Sequence, residues 1–154
     1  MFIETDKKQD IIEFTKKYCG AVAISCHQHL KDYWTKAAIE LTENKIKVNF
    51  HIIISDKKSI DSFVEIYENW KEKIDYFVLL PQMNSGRSKD AVIEWDYLIS
   101  NLPENKSKIA FGANFYPYLI EKEHNIDIDL YEPEIMSKYL DLSDMRVYGS
   151  SFHL

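Results

Sequence analysis

His27, His29 and His51 are three of five histidines in the chain, and each stands at or near the carboxyl end of an apolar run. Neutral imidazoles at such places suit zinc or another borderline metal, and equally proton transfer near neutral pH. Other polar side chains fall at the same ends: Ser25, Asn49, Ser55 with Asp56, Gln82 within Leu80-Pro81-Gln82-Met83-Asn84-Ser85-Gly86-Arg87, and Asn114 before Phe115-Tyr116. Asp56 is the one carboxylate among them. Two readings stand side by side for the histidines, as metal ligands or as structural groups. Asn49 and His51 likewise read either as lining a ligand site or as core polar groups bonded to neighbouring strands, because a buried polar group without a partner is costly. The loop from Gln82 to Ser88 runs into a helix, and reads as a plain N-capped loop or as an anion cradle of backbone N–H groups. No Walker loop, GxGxxG, GxSxG elbow or HExxH occurs, so those reaction classes lack support.

These residues are positioned by a recurring pattern. Apolar, β-branched runs at Ala21–Cys26, Lys47–Ser55, Tyr76–Leu80 and Ile109–Ala113, with a weaker one at Met145–Phe152, predict strands. Between them lie helical stripes. Ile60, Phe63, Val64, Tyr67, Trp70 and Ile74 give the clearest, with Ser59 placed to cap it. Leu30, Tyr33, Trp34, Ala37, Ala38 and Leu41 give a second, and Val92, Trp95, Leu98, Ile99 and Leu102 a third, closed by Pro103. An earlier helix from Lys7 to Tyr18 opens with Asp6 and Gln9 in capping-box spacing, and Pro133 suits the first turn of a last helix to Leu140.

Strand-helix alternation implies βαβ units and a parallel sheet. In the second strand Val48, Phe50, Ile52 and Ile54 share one face, and Asn49, His51, Ile53 and Ser55 the other. Strands of a doubly wound open sheet are covered on both faces and read as continuous apolar runs. A small, polar second face instead predicts part of a (β/α) barrel whose lumen or mouth holds a ligand, with the open doubly wound sheet as the alternative.

With 154 residues, four glycines, four prolines and no linker-like stretch, residues 1–154 read as a single domain. A net charge of −6 and a pI near 5.4 argue against nucleic-acid binding as the main activity. No run approaches the ~20 apolar residues of a membrane span, and the first residues lack the order of a secretory signal, so a cytoplasmic, membrane-free protein is expected. Cys19 and Cys26 are too few for a disulfide framework and wrongly spaced for a CxxC knuckle, and read as small buried hydrophobes.

The string Ala21-Val22-Ala23-Ile24-Ser25-Cys26-His27, followed one unit later by Val48 through Ser55 and then by Tyr76 through Pro81 with Gly86-Arg87, resembles the later part of a radical SAM barrel. The resemblance implies that Phe2–Asp6 is the tail of the third strand and that the chain spans strands three to eight. It also implies that Ser25 meets the ribose of S-adenosylmethionine and that adenine lies against the backbone of Leu80 through Gln82. With the polar strand faces, this gives a candidate cofactor-binding set of Ser25, His27, Asn49, His51, Ser55, Leu80, Gln82 and Asn114; no catalytic residue is assigned. The CxxxCxxC loop of that family is absent, so a 4Fe-4S cluster enters only if a partner chain supplies the cysteines.

Three functions are therefore expected to compete. The first is a radical SAM-like partial barrel that keeps a small-molecule face, as one piece of a split enzyme. The second is a metal-dependent hydrolase or lyase using His27, His29 and His51. The third is a non-catalytic interaction domain centred on Tyr116, Tyr118 and Tyr131. Expected partners are a small molecule together with a second copy or a complementary N-terminal chain that covers exposed strand edges.

Overall fold

An extended backbone turns successive side chains to opposite faces, and strand β2 (Val48–Ile54) shows the result. Val48, Phe50, Ile52 and Ile54 are buried, whereas Asn49 and His51 are half-buried and Ile53 is 44% exposed. The computed structural model describes residues 8–82, 93–112 and 115, with the backbone alone of 139–141 and 146–148. Within it β2 belongs to a four-stranded, all-parallel sheet with β1 (Val22–Ser25), β3 (Tyr76–Pro81) and β4 (Ile109–Phe111), arranged in chain order. Helices alternate with the strands: α1 (Lys8–Tyr18), α2 (Lys31–Glu43), α3 (Lys57–Trp70) and α4 (Trp95–Ser100). The expected α/β class and parallel strand-helix alternation are thus observed.

Contacts between side chains of neighbouring helices follow the same chain order. Lys8 of α1 pairs with Glu40 of α2 at 2.9 Å, Lys31 of α2 with Glu65 of α3 at 2.9 Å, and Lys57 of α3 with Glu94 at the start of α4 at 3.1 Å. The Tyr97 hydroxyl of α4 also donates to Asp61 of α3 at 2.7 Å. The Lys31 and Lys57 bridges are exposed and each contributes little, on the order of 0–1 kcal/mol, while the Lys8 bridge is half-buried. The apolar layer beneath them is the main stabiliser. At its centre the Phe50 ring meets Trp34, Trp70 and Phe77 at centroid distances of 5.4, 5.3 and 5.9 Å.

Helix α3 follows its expected stripe, with Ile60, Phe63 and Tyr67 buried and Ile66 buried beside them. Its cap differs from expectation. The Asp56 carboxylate accepts the Ser59 N–H at 2.8 Å while Ser59 Oγ accepts the Asp56 N–H at 3.0 Å, so Asp56 is the N-cap and Ser59 its reciprocating third residue. In α2, Trp34, Ala38 and Leu41 are buried, but Leu30 lies before the helix and is exposed, as is Tyr33. The helix ends in a Schellman turn: Lys45 takes a φ of 60°, its N–H donates to the Thr42 carbonyl, and Ile46 donates to Leu41. Helix α4 begins at Trp95, and Val92 lies outside the described residues.

The carboxyl-terminal expectations are corrected. Leu140 is in strand β5 (Tyr139–Asp141), not at the end of a helix, and β5 pairs antiparallel with β6 (Arg146–Tyr148). The run after Met145 therefore adds no strand to the parallel sheet. A parallel neighbour needs a crossover of about a dozen residues, whereas the short connection here permits only antiparallel pairing. Phe2–Asp6, Pro133 and Asn114 lie outside the described residues. Among the described residues no helix is long and apolar enough to cross a membrane.

Candidate functional site

The ladder register carries the face opposite the buried one across the sheet in rows. Ser25 is paired with His51, His51 with Val78, and Val78 with Ala110. A second row joins Ala23, Asn49 and Tyr76, and a third joins Ile53 to Leu80. Strands lie about 4.8 Å apart, so Ser25 and His51 are immediate neighbours and Asn49 is two positions along from His51 on the same face. The face is graded, polar on β1 and β2 and apolar on β3 and β4. Ala23, Ser25, Ile53 and Tyr76 are exposed on it, and His51, Asn49, Val78 and Leu80 half-buried. Gly112 continues the apolar end. A Cβ there would stand 2.6 Å from Leu80 Cδ2, the movable end of a half-buried side chain, and 3.3 Å from the Leu79 carbonyl, so a larger residue fits only if Leu80 turns aside.

The remaining expected residues sit in the loops just beyond. The His27 carbonyl accepts from Trp34 Nε1 at 3.1 Å and from the Leu30 N–H at 2.9 Å, which fixes the turn after β1 to helix α2. The Ser55 N–H donates to Ser59 Oγ within the α3 cap, and the Gln82 N–H donates to the Ile54 carbonyl. Ser25, Asn49, His51 and Leu80 are thus gathered on one surface, with His27, Ser55 and Gln82 at its carboxyl rim. The parity of β3 also places Tyr76 on this surface, beside Asn49. Counting back by twos from Leu80 and Val78 is the sequence signal that identifies it.

The proposed metal ligands do not converge. The His27 and His29 rings lie 5.6 Å apart, but no group of three or more His, Cys, Asp or Glu among the described residues is placed to hold a metal ion. The reason is positional: His51 is inside β2, whereas His27 and His29 belong to the turn beyond β1. The ligand set His27, His29 and His51 is therefore corrected.

The cysteines divide as well. Cys26 is buried, as expected, and burial pushes its thiol up to about 12 from 9.0; Cys19 is exposed just beyond α1, contrary to expectation. The thiolate is the reactive form. Iodoacetamide at pH 8 is expected to modify Cys19 in the native protein and leave Cys26 intact, with both modified in urea, as peptide mass mapping will show. Because folding raises the Cys26 value, its contribution to stability is complete below pH 9 and declines as pH rises from there toward 12. Native modification of Cys26 at the rate of Cys19 would contradict its placement in the core.

A cavity of about 490 Å³ lies at the opposite, amino end of β3 and β4, lined in part by Tyr67, Lys71, Asn105 and Lys108. Its polar groups serve the end of α3: Tyr67 donates to the Asn105 carbonyl at 2.8 Å, and Lys108 donates to the carbonyls of Lys71 and Ile74 at 2.6 and 3.0 Å. A cation on the last carbonyls of a helix satisfies acceptors left without partners by the helix itself. This is a helix terminus, not a rival ligand site.

Compared with protein-family models, with curated proteins and with solved structures, the chain matches none. The class that can be stated is therefore an α/β protein with a four-stranded parallel sheet and one accessible, polar-to-apolar strand face.

Proposed function

We propose that the chain is a sector of a (β/α) barrel whose inner face binds an adenosyl-type small molecule, S-adenosylmethionine in the reading its resemblance implies. The observation that carries this is the row Ser25, His51, Val78 and Ala110 with Asn49 beside it: accessible polar groups merging into an apolar strip, on the face away from the core. Strand order supports the sector over a doubly wound sheet. A doubly wound sheet reverses its order at a switch point, and the four strands run in chain order. Right-handed crossovers then place successive helices on one side, in keeping with their side-chain bridges.

Ser25, Asn49 and His51 have the hydroxyl, amide and imidazole groups that hydrogen-bond ribose hydroxyls, and Ile53, Leu80 and Tyr76 present apolar area for a purine. S-adenosylmethionine brings an activated sulfonium, and these residues recognise its adenosyl part. An iron-sulfur cluster does not fit this chain alone. Cys26 is buried and Cys19 lies at the end of α1, so they offer no converging thiolates. The function proposed is binding without reductive cleavage.

Titration calorimetry with S-adenosylmethionine, S-adenosylhomocysteine and adenosine tests it. A face open on one side is expected to give a Kd on the order of 100 µM, about −5.5 kcal/mol. His51→Ala removes one hydrogen bond and is expected to weaken binding about tenfold. Absence of binding by all three compounds at millimolar concentration would sink the proposal.

A further inference from the structure

We propose that two copies of the chain associate about a two-fold axis through the flank formed by α1 and the edge of β1 that is unpaired among the described residues. Helix α1 carries apolar side chains on two sides. Ile12 and Thr15 are buried against the chain's own core, while Ile11, Phe14 and Tyr18 are 36%, 61% and 62% exposed. Those three follow the i, i+3, i+7 spacing of a single helical stripe, and the Phe14 and Tyr18 rings already pack at 4.7 Å. A surface helix of a monomer needs one apolar side.

The strand beneath has the same incompleteness. Among the described residues β1 pairs with β2 alone. The N–H groups of Val22 and Cys26 donate to Lys47 and His51 across that ladder, so the intervening Ala23 and Ser25 turn their N–H groups to the open edge, and both residues are exposed. An unpaired strand edge is a template for another strand. Helix α1 lies on this flank because α2 separates it from α3. Lys8 and Lys16 of α1 reach Glu40 of α2 and Asn44 just beyond it, and Lys31 of α2 reaches Glu65 of α3.

The charges select a second copy as the occupant. Asp10 stands one turn before Phe14 and Lys17 one turn after, on the same side of the stripe. When two copies of α1 cross antiparallel near Phe14, Asp10 of each faces Lys17 of the other, twice by symmetry. A two-fold contact requires such self-complementarity, and a parallel docking would oppose like charges. The area decides the strength. An 11-residue helix is about 16 Å long, so its stripe alone offers far less than the ~800 Å² per partner of a stable interface. The β1 edge must contribute, and a concentration-dependent dimer is expected, not an obligate one.

Sedimentation velocity of the full chain over a wide concentration range tests this at low salt. The wild type is expected to pass from monomer to dimer, and Phe14→Glu to remain monomeric with an unchanged circular dichroism spectrum. Asp10→Lys and Lys17→Asp each replace two attractive pairs by two repulsive ones and are expected to weaken the dimer about tenfold. The double variant Asp10→Lys with Lys17→Asp restores the pairs in exchanged positions, and is expected to recover the wild-type constant. A wild type monomeric at every concentration, a dimer that survives Phe14→Glu, or a double variant no tighter than the singles overturns the proposal. Calorimetry on monomeric Phe14→Glu keeps the ligand question separate, since Phe14 lies on α1 and none of the strand-face side chains is changed.

Discussion

Phe50→Ala is expected to lower the stability of the fold by about 4 kcal/mol, with a fall in Tm of roughly 12 °C for a chain of this size. Phe50 is fully buried at the middle of β2 and touches an aromatic ring from α2, one from the end of α3 and one from β3. Those three rings come from three different elements and also touch around it, Trp34 against Trp70 at 6.1 Å. The hole left by alanine cannot close by a single rotamer change, because Trp34 and Phe77 are held by separate backbone segments. The lost transfer free energy is therefore joined by a cavity penalty. Tyr33→Ala, on the exposed side of α2 at 51% exposure, is the control and is expected to cost under about 0.5 kcal/mol. Urea denaturation of the two variants makes the comparison. A loss below about 1 kcal/mol for Phe50→Ala would mean that the ring cluster is not the core.

The same strand explains how far the sequence could be read. The alternation of Val48, Phe50, Ile52 and Ile54 with Asn49, His51 and Ile53 is visible as letters because a half-accessible strand must alternate. The structure keeps that division residue by residue. Short strands carry less of this signal, yet Val22 and Ile24 against Ala23 and Ser25 are sorted the same way. The cap of α3 is ambiguous in the sequence because Asp56 and Ser59 are both good capping residues at the required spacing, and only the hydrogen bonds say which leads. Cys19 reads as buried because cysteine usually is, whereas its position just beyond the end of α1 leaves it in solvent. The antiparallel pairing of β5 and β6 was hidden by a different cause. Pro133 announces a helix start, but Tyr139 and the run Arg146-Val147-Tyr148 have strand preferences that prevail a few residues later.

The candidate site was legible as a set of residue types and not as a constellation. Sequence parity assigns Asn49 and His51 to one face, but the adjacency of Ser25 and His51 depends on strand register, which spans two segments. For the same reason three histidines close to strand ends suggested a metal site that the register does not build. Being one residue deeper in a strand, or one turn beyond it, moves an imidazole by several ångströms. Metal coordination tolerates about 0.2 Å.

Trp34 connects the two halves of this picture, and a pair of substitutions separates its roles. Its ring packs on Phe50 and Trp70 in the core, while its Nε1 donates to the His27 carbonyl just beyond β1. Trp34→Ala removes both and is expected to cost about 4 kcal/mol, close to the loss for Phe50→Ala. Trp34→Phe keeps most of the apolar body and removes the donor. The His27 carbonyl still accepts from the Leu30 N–H, so no acceptor is stranded and the expected cost is only about 1–2 kcal/mol. The turn bearing His27 is nevertheless loosened. The Leu30 amide is expected to exchange with solvent severalfold faster in Trp34→Phe, and affinity for the adenosyl ligands to fall severalfold, while the melting curve stays cooperative. If Trp34→Phe instead melts like Trp34→Ala, the part of the indole that phenylalanine lacks carries the stability, and the assignment of the larger share to the apolar body fails. If it binds like the wild type with an unchanged Leu30 exchange rate, the indole N–H does not hold the rim of the strand face.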